Sequence, residues 1–506
     1  MVLALLLFWS LQLHIFSRMV AVFNTRQAYK YQRRQPENSL LYRTIETYWP
    51  LFIKEQARVN KKLPLFIHQE FDDYLKCGIT EFGFVRTYCY QCQYSGMVAF
   101  SCKRRGFCPS CSGRRMNDEA HHITKNVIPE ITTRQWVLSF PFKIRYLLAH
   151  NQKLTNELLK IFVRTIESYQ RKRIQNKNAK IGAVTFIQRF GSALNLNVHF
   201  HTLITDGVYI LQKDQTYAFQ RLPHPTHEEL KLLVDKIKIK IELKIKKLNL
   251  EHTEQMPFEE ESLDDISQLS ITQKAAYGDR QGRLLKQYGI KSFEADPENH
   301  DPTTANNSGY SLNARVWIAS NKRKKLEQVI RYMARGPIAQ ERMTETYTGQ
   351  ILYKLKTPWR NGVTHFSYSG LDFIARLVAL IPPPRMNMIR YHGVFAPNFK
   401  NRSKIVPAKK IQIEKTTESI ISPKIKSERL RWAEMLKKTF QVDVTVCPKC
   451  NGRLEQIAVI KSRTAAMAIL KSLNQSTQFK PKNPLTTGPP ELTGYENEID
   501  QRNDDW

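Results

Sequence analysis

Apolar positions recur along this chain with two periods, and the two periods divide it into helices and strands. From Leu154 to Ile174 they keep helical spacing, with Leu154, Leu158, Ile161 and Phe162 on one side. The stretch Asn321–Arg335 is sharper. Leu326, Val329, Ile330 and Met333 stand at i, i+3, i+4 and i+7, and Gly336-Pro337 ends the helix. Residues 371–381 form a short helix that stops at Pro382-Pro383-Pro384. Residues 117–130 read as a connecting helix. Residues 229–250 are lysine-rich with apolar residues between, which predicts an amphipathic helix. Strand-like runs occupy 134–140, 181–190 and 195–210. Residues 347–367 predict a hairpin with its turn at Trp359-Arg360-Asn361-Gly362. Strands mixed with helices predict an α+β fold.

The pattern also sets boundaries. An apolar run at residues 1–25 is interrupted by Gln12 and His14 and is too short to span a bilayer comfortably. It reads as an upstream extension outside the fold, with Met19 an available internal start; a poor signal anchor is the rival reading. Residues 26–76 form a helical segment. Residues 77–117 are cysteine-rich and basic, and 118–400 hold the strands, with a polar insertion around 251–313. A basic linker at 401–430 leads to a small unit at 431–475, and composition predicts disorder for 476–506.

Composition adds a partner. The 506 residues carry 78 Lys+Arg against 46 Asp+Glu, a net charge of +32, so a polyanion is expected. Eight cysteines are too few for a disulfide scaffold in a chain this long. With no other run of about 18 apolar residues, a soluble cytoplasmic protein without a membrane partner is expected.

The cysteines are placed for metal. Cys89-Tyr-Gln-Cys92 and Cys108-Pro-Ser-Cys111 are two knuckles fifteen residues apart, the spacing of a four-thiolate zinc site. Cys77 or Cys102 could replace one ligand, at worse spacing. Cys447-Pro-Lys-Cys450 is a third knuckle whose remaining ligands would have to come from afar, a candidate second metal site. Lys103, Arg104, Arg105, Arg114 and Arg115 surround the first cluster and are expected to contact phosphates of that polyanion.

On a strand from Asn195, His199 and His201 project from one face with Asn195 and Asn197, about 7 Å apart at their Cα atoms and able to grip one metal. Val198, Phe200 and Ile204 point into a core. On the Asn321–Arg335 helix, Tyr332 stands at the edge of the apolar stripe, near Gln328, Lys325, Arg331 and Arg335. Tyr347, Tyr353 and Tyr391 are the other tyrosines considered as a nucleophile.

Several long stretches carry a resemblance. They are Phe100-Ser-Cys-Lys-Arg-Arg-Gly-Phe-Cys-Pro-Ser-Cys111, Arg134-Gln-Trp-Val-Leu-Ser-Phe-Pro141, Gly182-Ala-Val-Thr-Phe-Ile-Gln-Arg-Phe190 and Leu194-Asn-Leu-Asn-Val-His-Phe-His201. Leu355-Lys-Thr-Pro-Trp359, Ile381-Pro-Pro-Pro-Arg385 and Arg390-Tyr-His-Gly-Val-Phe-Ala-Pro-Asn398 follow. With the His-hydrophobe-His strand, the tyrosine helix and the cysteine module, the chain resembles the rolling-circle insertion-sequence transposases of the HUH class over roughly residues 40–470.

That resemblance implies a HUH-type antiparallel sheet with helices, preceded by a small zinc-ribbon-like domain. It implies Tyr332 as nucleophile, Mg²⁺ or Mn²⁺ held by His199 and His201, structural zinc, and single-stranded or hairpin DNA ends as partner. Gln328 is the third metal ligand it suggests, since related nucleases draw one from the tyrosine helix. Paired-tyrosine members carry Tyr-x-x-x-Tyr on this helix. Here position 328 is Gln and position 336 is Gly, so the chain looks like the single-tyrosine branch. The implied reaction forms a 5′-phosphotyrosine with no nucleotide cofactor, in keeping with the lack of a Gly-x-x-x-x-Gly-Lys-Ser/Thr loop. The alternatives are a plasmid replication initiator or relaxase with the same chemistry, and a non-catalytic zinc-dependent DNA-binding protein.

Overall fold

The structure, a computed structural model, describes residues 33–250, 261–289, 301–359, 361–407 and 432–473. The apolar extension, most of the basic linker and the tail lie outside the described residues.

The chain opens with helices α1 (Leu40–Arg58) and α2 (Leu65–Lys76). A hairpin of β1 (Phe84–Tyr88) and β2 (Ser95–Ala99) follows, then helix α3 (Pro109–Asn126). Strand β3 (Thr133–Ser139) leads into α4 (Phe142–His150) and α5 (Gln152–Ile174). Next come β4 (Gly182–Phe190), β5 (Leu196–Thr205), the β6 (Gly207–Leu211)–β7 (Tyr217–Arg221) ribbon, and α6 (His227–Lys247). Helix α7 (Glu261–Ile271) and strands β8 (Lys286–Gly289), β9 (Thr304–Asn307), β10 (Tyr310–Asn313) and β11 (Trp317–Ile318) precede α8 (Arg323–Met333). Then come β12 (Met343–Glu345), β13 (Ile351–Lys354), β14 (Val363–Tyr368), α9 (Gly370–Leu380) and β15 (Ile389–Gly393). The C-terminal part holds α10 (Trp432–Phe440), β16 (Glu455–Ile460) and α11 (Arg463–Ser472).

The α+β expectation holds. The central sheet runs β15-β4-β5-β3-β10-β9, with β11 also on β3, and its pairings are antiparallel. Alternation along β5 sends Val198, Phe200 and Ile204 into one core, shared with Trp136, Leu158 and Phe162. The opposite face carries Val184, Phe186 and Leu203, and on it pack Ala120 and Ile123 of α3 and the Leu326-Val329-Ile330-Met333 stripe of α8. That second face receives His199 and His201, because odd-numbered residues of β5 share it.

Three boundaries differ from the sequence reading. The polar stretch 251–313 is not a peripheral insertion: it supplies β9 and β10 to the central sheet and β8 to the β12-β13-β14-β8 sheet. Four-residue strands in a polar context give too short an alternation to be recognised. The division at residue 117 falls inside α3, which starts at Pro109 within the second knuckle. The C-terminal unit is not separate either. β16 pairs antiparallel with β1, Phe84 opposite Ile460 and Tyr88 opposite Glu455, so residues 84–99 and 455–460 make one three-stranded sheet.

Candidate active site and metal centres

On β5, His199 and His201 are buried, at 5% and 0% exposure. Burying two imidazoles requires partners for their nitrogens. His199 Nδ1–H donates to the Asn197 carbonyl oxygen at 2.8 Å, which leaves a lone pair on its Nε2. His201 Nδ1 lies 2.8 Å from the Gln135 side-chain amide of β3. The two Nε2 atoms converge to 2.9 Å. With Nδ1 accepting from the Gln135 amide, His201 carries its proton on Nε2 and donates it to His199 Nε2; a metal bound by both rings would replace that proton. Cis nitrogen ligands about 2.1 Å from an octahedral ion stand about 3 Å apart, so the spacing fits a metal. Asn197, 6% exposed and on the same strand face, has a buried Oδ1 that accepts no hydrogen bond among the described residues. An oxygen without a donor on the strand face that carries two converging nitrogens suits a divalent cation.

Tyr332 stands over this pair. Its ring meets that of His201 edge-on, centroids 6.1 Å apart at 83°. The Arg335 guanidinium lies 4.3 Å and the Lys356 ammonium 4.7 Å from its ring centroid. Gln188, opposite His199 on β4, donates its amide to the Met333 carbonyl at 2.9 Å and fastens the end of α8 to the sheet. The other tyrosines are placed differently. Tyr353 is buried, its hydroxyl donating to the Pro337 carbonyl, and burial raises its pKa. Tyr347 is fully exposed, and Tyr391 lies on β15, opposite Val184. A second tyrosine at position 336 has no room: a Cβ on Gly336 would come within 2.7 Å of the Ser112 side chain of α3. Gln328 is exposed, one turn before Tyr332.

The expected cations separate. Arg335 joins the tyrosine, but Arg331 pairs with Glu327 at 3.3 Å, and Glu327 also holds Lys438 of α10 at 2.5 Å. Lys325 is exposed. Around the cysteines, Arg104 is tied to Asp73, Arg105 to the Met386 carbonyl, Arg115 to the Lys103 and Arg104 carbonyls, and Arg114 to Cys111 Sγ. Only Lys103 of these five extends from the surface without such a tie in the contacts described. Arginines expected to face phosphate are therefore first of all braces of the zinc module.

The cysteines form two clusters, and neither is the predicted tetrad. Cys77, Cys102, Cys108 and Cys111 make one; Cys89, Cys92, Cys447 and Cys450 make the other, with sulfurs within 4.8 Å of one another in each. The cause is the β1–β2 hairpin. Cys89 and Cys92 sit at its turn, while Cys77 and Cys102 flank its open end. A five-residue strand is about 16 Å long, too far for one tetrahedron. Cys77 Sγ lies 3.7 Å from Cys108 Sγ and 3.8 Å from Cys111 Sγ, with Cys102 Sγ 3.3 Å from Cys111. Hydrogen bonds from Cys102, Cys108 and Cys77, aided by Arg114, push the Cys111 thiol far down, toward the thiolate a metal needs. In the second cluster Cys89 Sγ is 3.5 Å from Cys450 and Cys92 Sγ 3.4 Å from Cys447.

Sequence reasoning passed over Gln135, Gln188 and Lys356. Each lies in one of the long family-like stretches, which was their only signal.

Two family models match the chain. Residues 44–140 match a "Transposase zinc-binding domain", and residues 182–403 match a family described as "Putative transposase". The first contains all of the Cys77 cluster and half of the other; the second contains both histidines and Tyr332. Cys447 and Cys450 lie outside both. No curated protein and no solved structure matches the chain. No helix among the described residues is long and apolar enough to cross a membrane.

Proposed function

The chain belongs to the insertion-sequence transposases that carry an N-terminal zinc-binding domain, and on that premise we propose that it nicks and rejoins single-stranded DNA, as in rolling-circle transposition, with Tyr332 as the nucleophile. The observation that carries this is the convergence of His199 and His201 Nε2 beneath the Tyr332 ring.

His199, His201 and Asn197 Oδ1 would hold one Mg²⁺ or Mn²⁺. When bound, that ion polarises a non-bridging oxygen of the scissile phosphate and draws it into line. The chain's own residues do the rest. The Tyr332 oxygen attacks phosphorus, the phosphorus–O3′ bond breaks, the phenol proton is given up and the 3′-oxygen gains one. The products are a 5′-phosphotyrosine and a free 3′-OH, so the number of phosphoester bonds is unchanged and no nucleotide cofactor is consumed. Arg335 and Lys356, on the ring, offset negative charge on the phenol oxygen and the phosphate. Gln188 fixes the helix end, so the phenol does not drift from the histidines.

The test is a nicking assay on single-stranded transposon-end DNA in Mg²⁺ or Mn²⁺. His199→Ala and His201→Ala are each expected to abolish cleavage while DNA affinity stays within about twofold, because the pair acts on one phosphate of a long footprint. Normal nicking by either variant would make the pair structural.

A further inference from the structure

A cavity of about 400 Å³ opens beside the tyrosine, between parts of the chain that are distant in sequence. One wall is the loop before α3 and that helix's first turns, a second is the end of β4, and a third is the segment after Met333. The stretch leading into β15 closes it. It thus joins the zinc module to the catalytic sheet, yet neither histidine lines it.

Its lining suits one nucleotide. Arg105, Arg115 and Arg335 face Glu119 as the single acid among the lining residues. Two of these arginines are held by backbone carbonyls, Arg105 by Met386 and Arg115 by Lys103 and Arg104, so they are fixed before any anion arrives. The Arg335 guanidinium lies over both Phe190, at 5.4 Å, and Tyr332, at 4.3 Å, and so links the cavity to the nucleophile. Phe190, beside Gln188 on β4, offers an aromatic ring at one end of the cavity, and Tyr391 lines the other, opposite Val184. Gln188 is 3% exposed; its amide nitrogen is spent on the Met333 and Tyr332 carbonyls, but its buried Oε1 accepts nothing among the described residues. An orphaned acceptor of this kind costs about 1–3 kcal/mol unless a donor reaches it. Every nucleobase carries an N–H on its pairing edge. The volume lies at the lower end for small-molecule sites, enough for one extruded nucleotide and far too small for a duplex.

We propose that this cavity binds one unpaired nucleotide of the DNA strand next to the phosphate attacked by Tyr332. Its base packs on Phe190, donates to Gln188 Oε1, and has its phosphate at Arg335. The proposal rests on the reading of single-stranded DNA as the substrate. It adds that the strand is gripped by a base, outside the metal site, at the seam with the zinc module.

The experiment uses the full-length zinc-loaded chain and single-stranded oligonucleotides, each with one photoreactive pyrimidine at a stepped position. Cross-linked peptides are mapped by mass spectrometry, in the wild type and in His201→Ala. Adducts at Phe190 are expected from one position only, in both proteins. An abasic site there should weaken binding about tenfold, as loss of one stacked base does. Asn387→Trp, an exposed residue at the rim, should fill the cavity and remove those adducts, while Asn387→Ala keeps them. Cross-links confined to other surfaces, adducts unchanged in Asn387→Trp, or equal competition by duplex DNA would overturn the proposal. Because His201→Ala removes the metal chemistry and leaves the cavity, cross-linking that persists there while nicking behaves normally would sink the metal reading and spare this one. A covalent Tyr332 adduct without cavity cross-links would do the reverse.

Discussion

At the scale of single residues, the proposed metal site turns on two histidine nitrogens and one oxygen. Asn197 Oδ1 and the Gln328 side chain are candidates for the third ligand: one is buried without a donor among the described residues, the other is exposed on α8. A preformed donor binds without loss of side-chain freedom, so Asn197 is the expected ligand. Mn²⁺ titration followed by calorimetry or electron spin resonance should show a loss of about tenfold or more in affinity for Asn197→Ala and little change for Gln328→Ala; the reverse ranking would return the role to the tyrosine helix. The histidines themselves were legible, since two-residue alternation alone puts 199 and 201 on one face and the flanking Val198 and Phe200 on the other. Gln135, Gln188 and Lys356 were not, because they reach the site from β3, from β4 and from the loop after β13. Strand pairing decides that, and strand pairing is not local in sequence.

At the scale of elements, helices were easier to read than metal sites. The α8 stripe and its Gly-Pro stop were visible, and the helix ends at Met333, two residues inside the predicted boundary. The cysteines were misgrouped because spacing along the chain cannot see the hairpin that carries Cys89 and Cys92 away from Cys108 and Cys111. The C-terminal knuckle, which lacked partners in sequence, finds them 355 residues away from Cys92 and 361 from Cys89. This gives a definite expectation. Purified protein should hold two Zn²⁺ per chain; Cys447→Ser should leave one and free residues 432–473 to proteolysis, while Cys77→Ser should compromise the N-terminal module as a whole. Structural zinc contributes on the order of 10 kcal/mol, more than the short β1–β16 pairing would supply alone. A single zinc in the wild type, or a Cys447→Ser variant as resistant as its parent, would contradict the clasp.

At the scale of the whole molecule, β1 and β16, about 370 residues apart, pair in one sheet, and the chain carries a net charge of +32. Acid should weaken this assembly through two histidines. Burial, with Arg189 beside one and Arg390 beside the other, lowers His150 and His392 to about 4. Both are neutral in the fold, whereas the unfolded chain takes up protons near pH 6.5. Stability is therefore whole above that value and falls as pH drops toward 4, by on the order of 2 kcal/mol for each group given their partial exposure. Denaturant midpoints across that window should show the decline, and His392→Gln should flatten it by about half; an unchanged slope would place the acid response elsewhere.

The central claim is that Tyr332 becomes covalently joined to DNA. Wild-type protein incubated with single-stranded end DNA and Mg²⁺ or Mn²⁺ should give a protein–DNA band on a denaturing gel, and mass spectrometry should place the nucleotide on the peptide containing Tyr332. Tyr332→Phe removes one oxygen, keeps the ring under Arg335 and Lys356, and should fold and bind DNA normally while losing the band completely. A band that persists in Tyr332→Phe, or a nucleotide mapped to another tyrosine, would contradict the account.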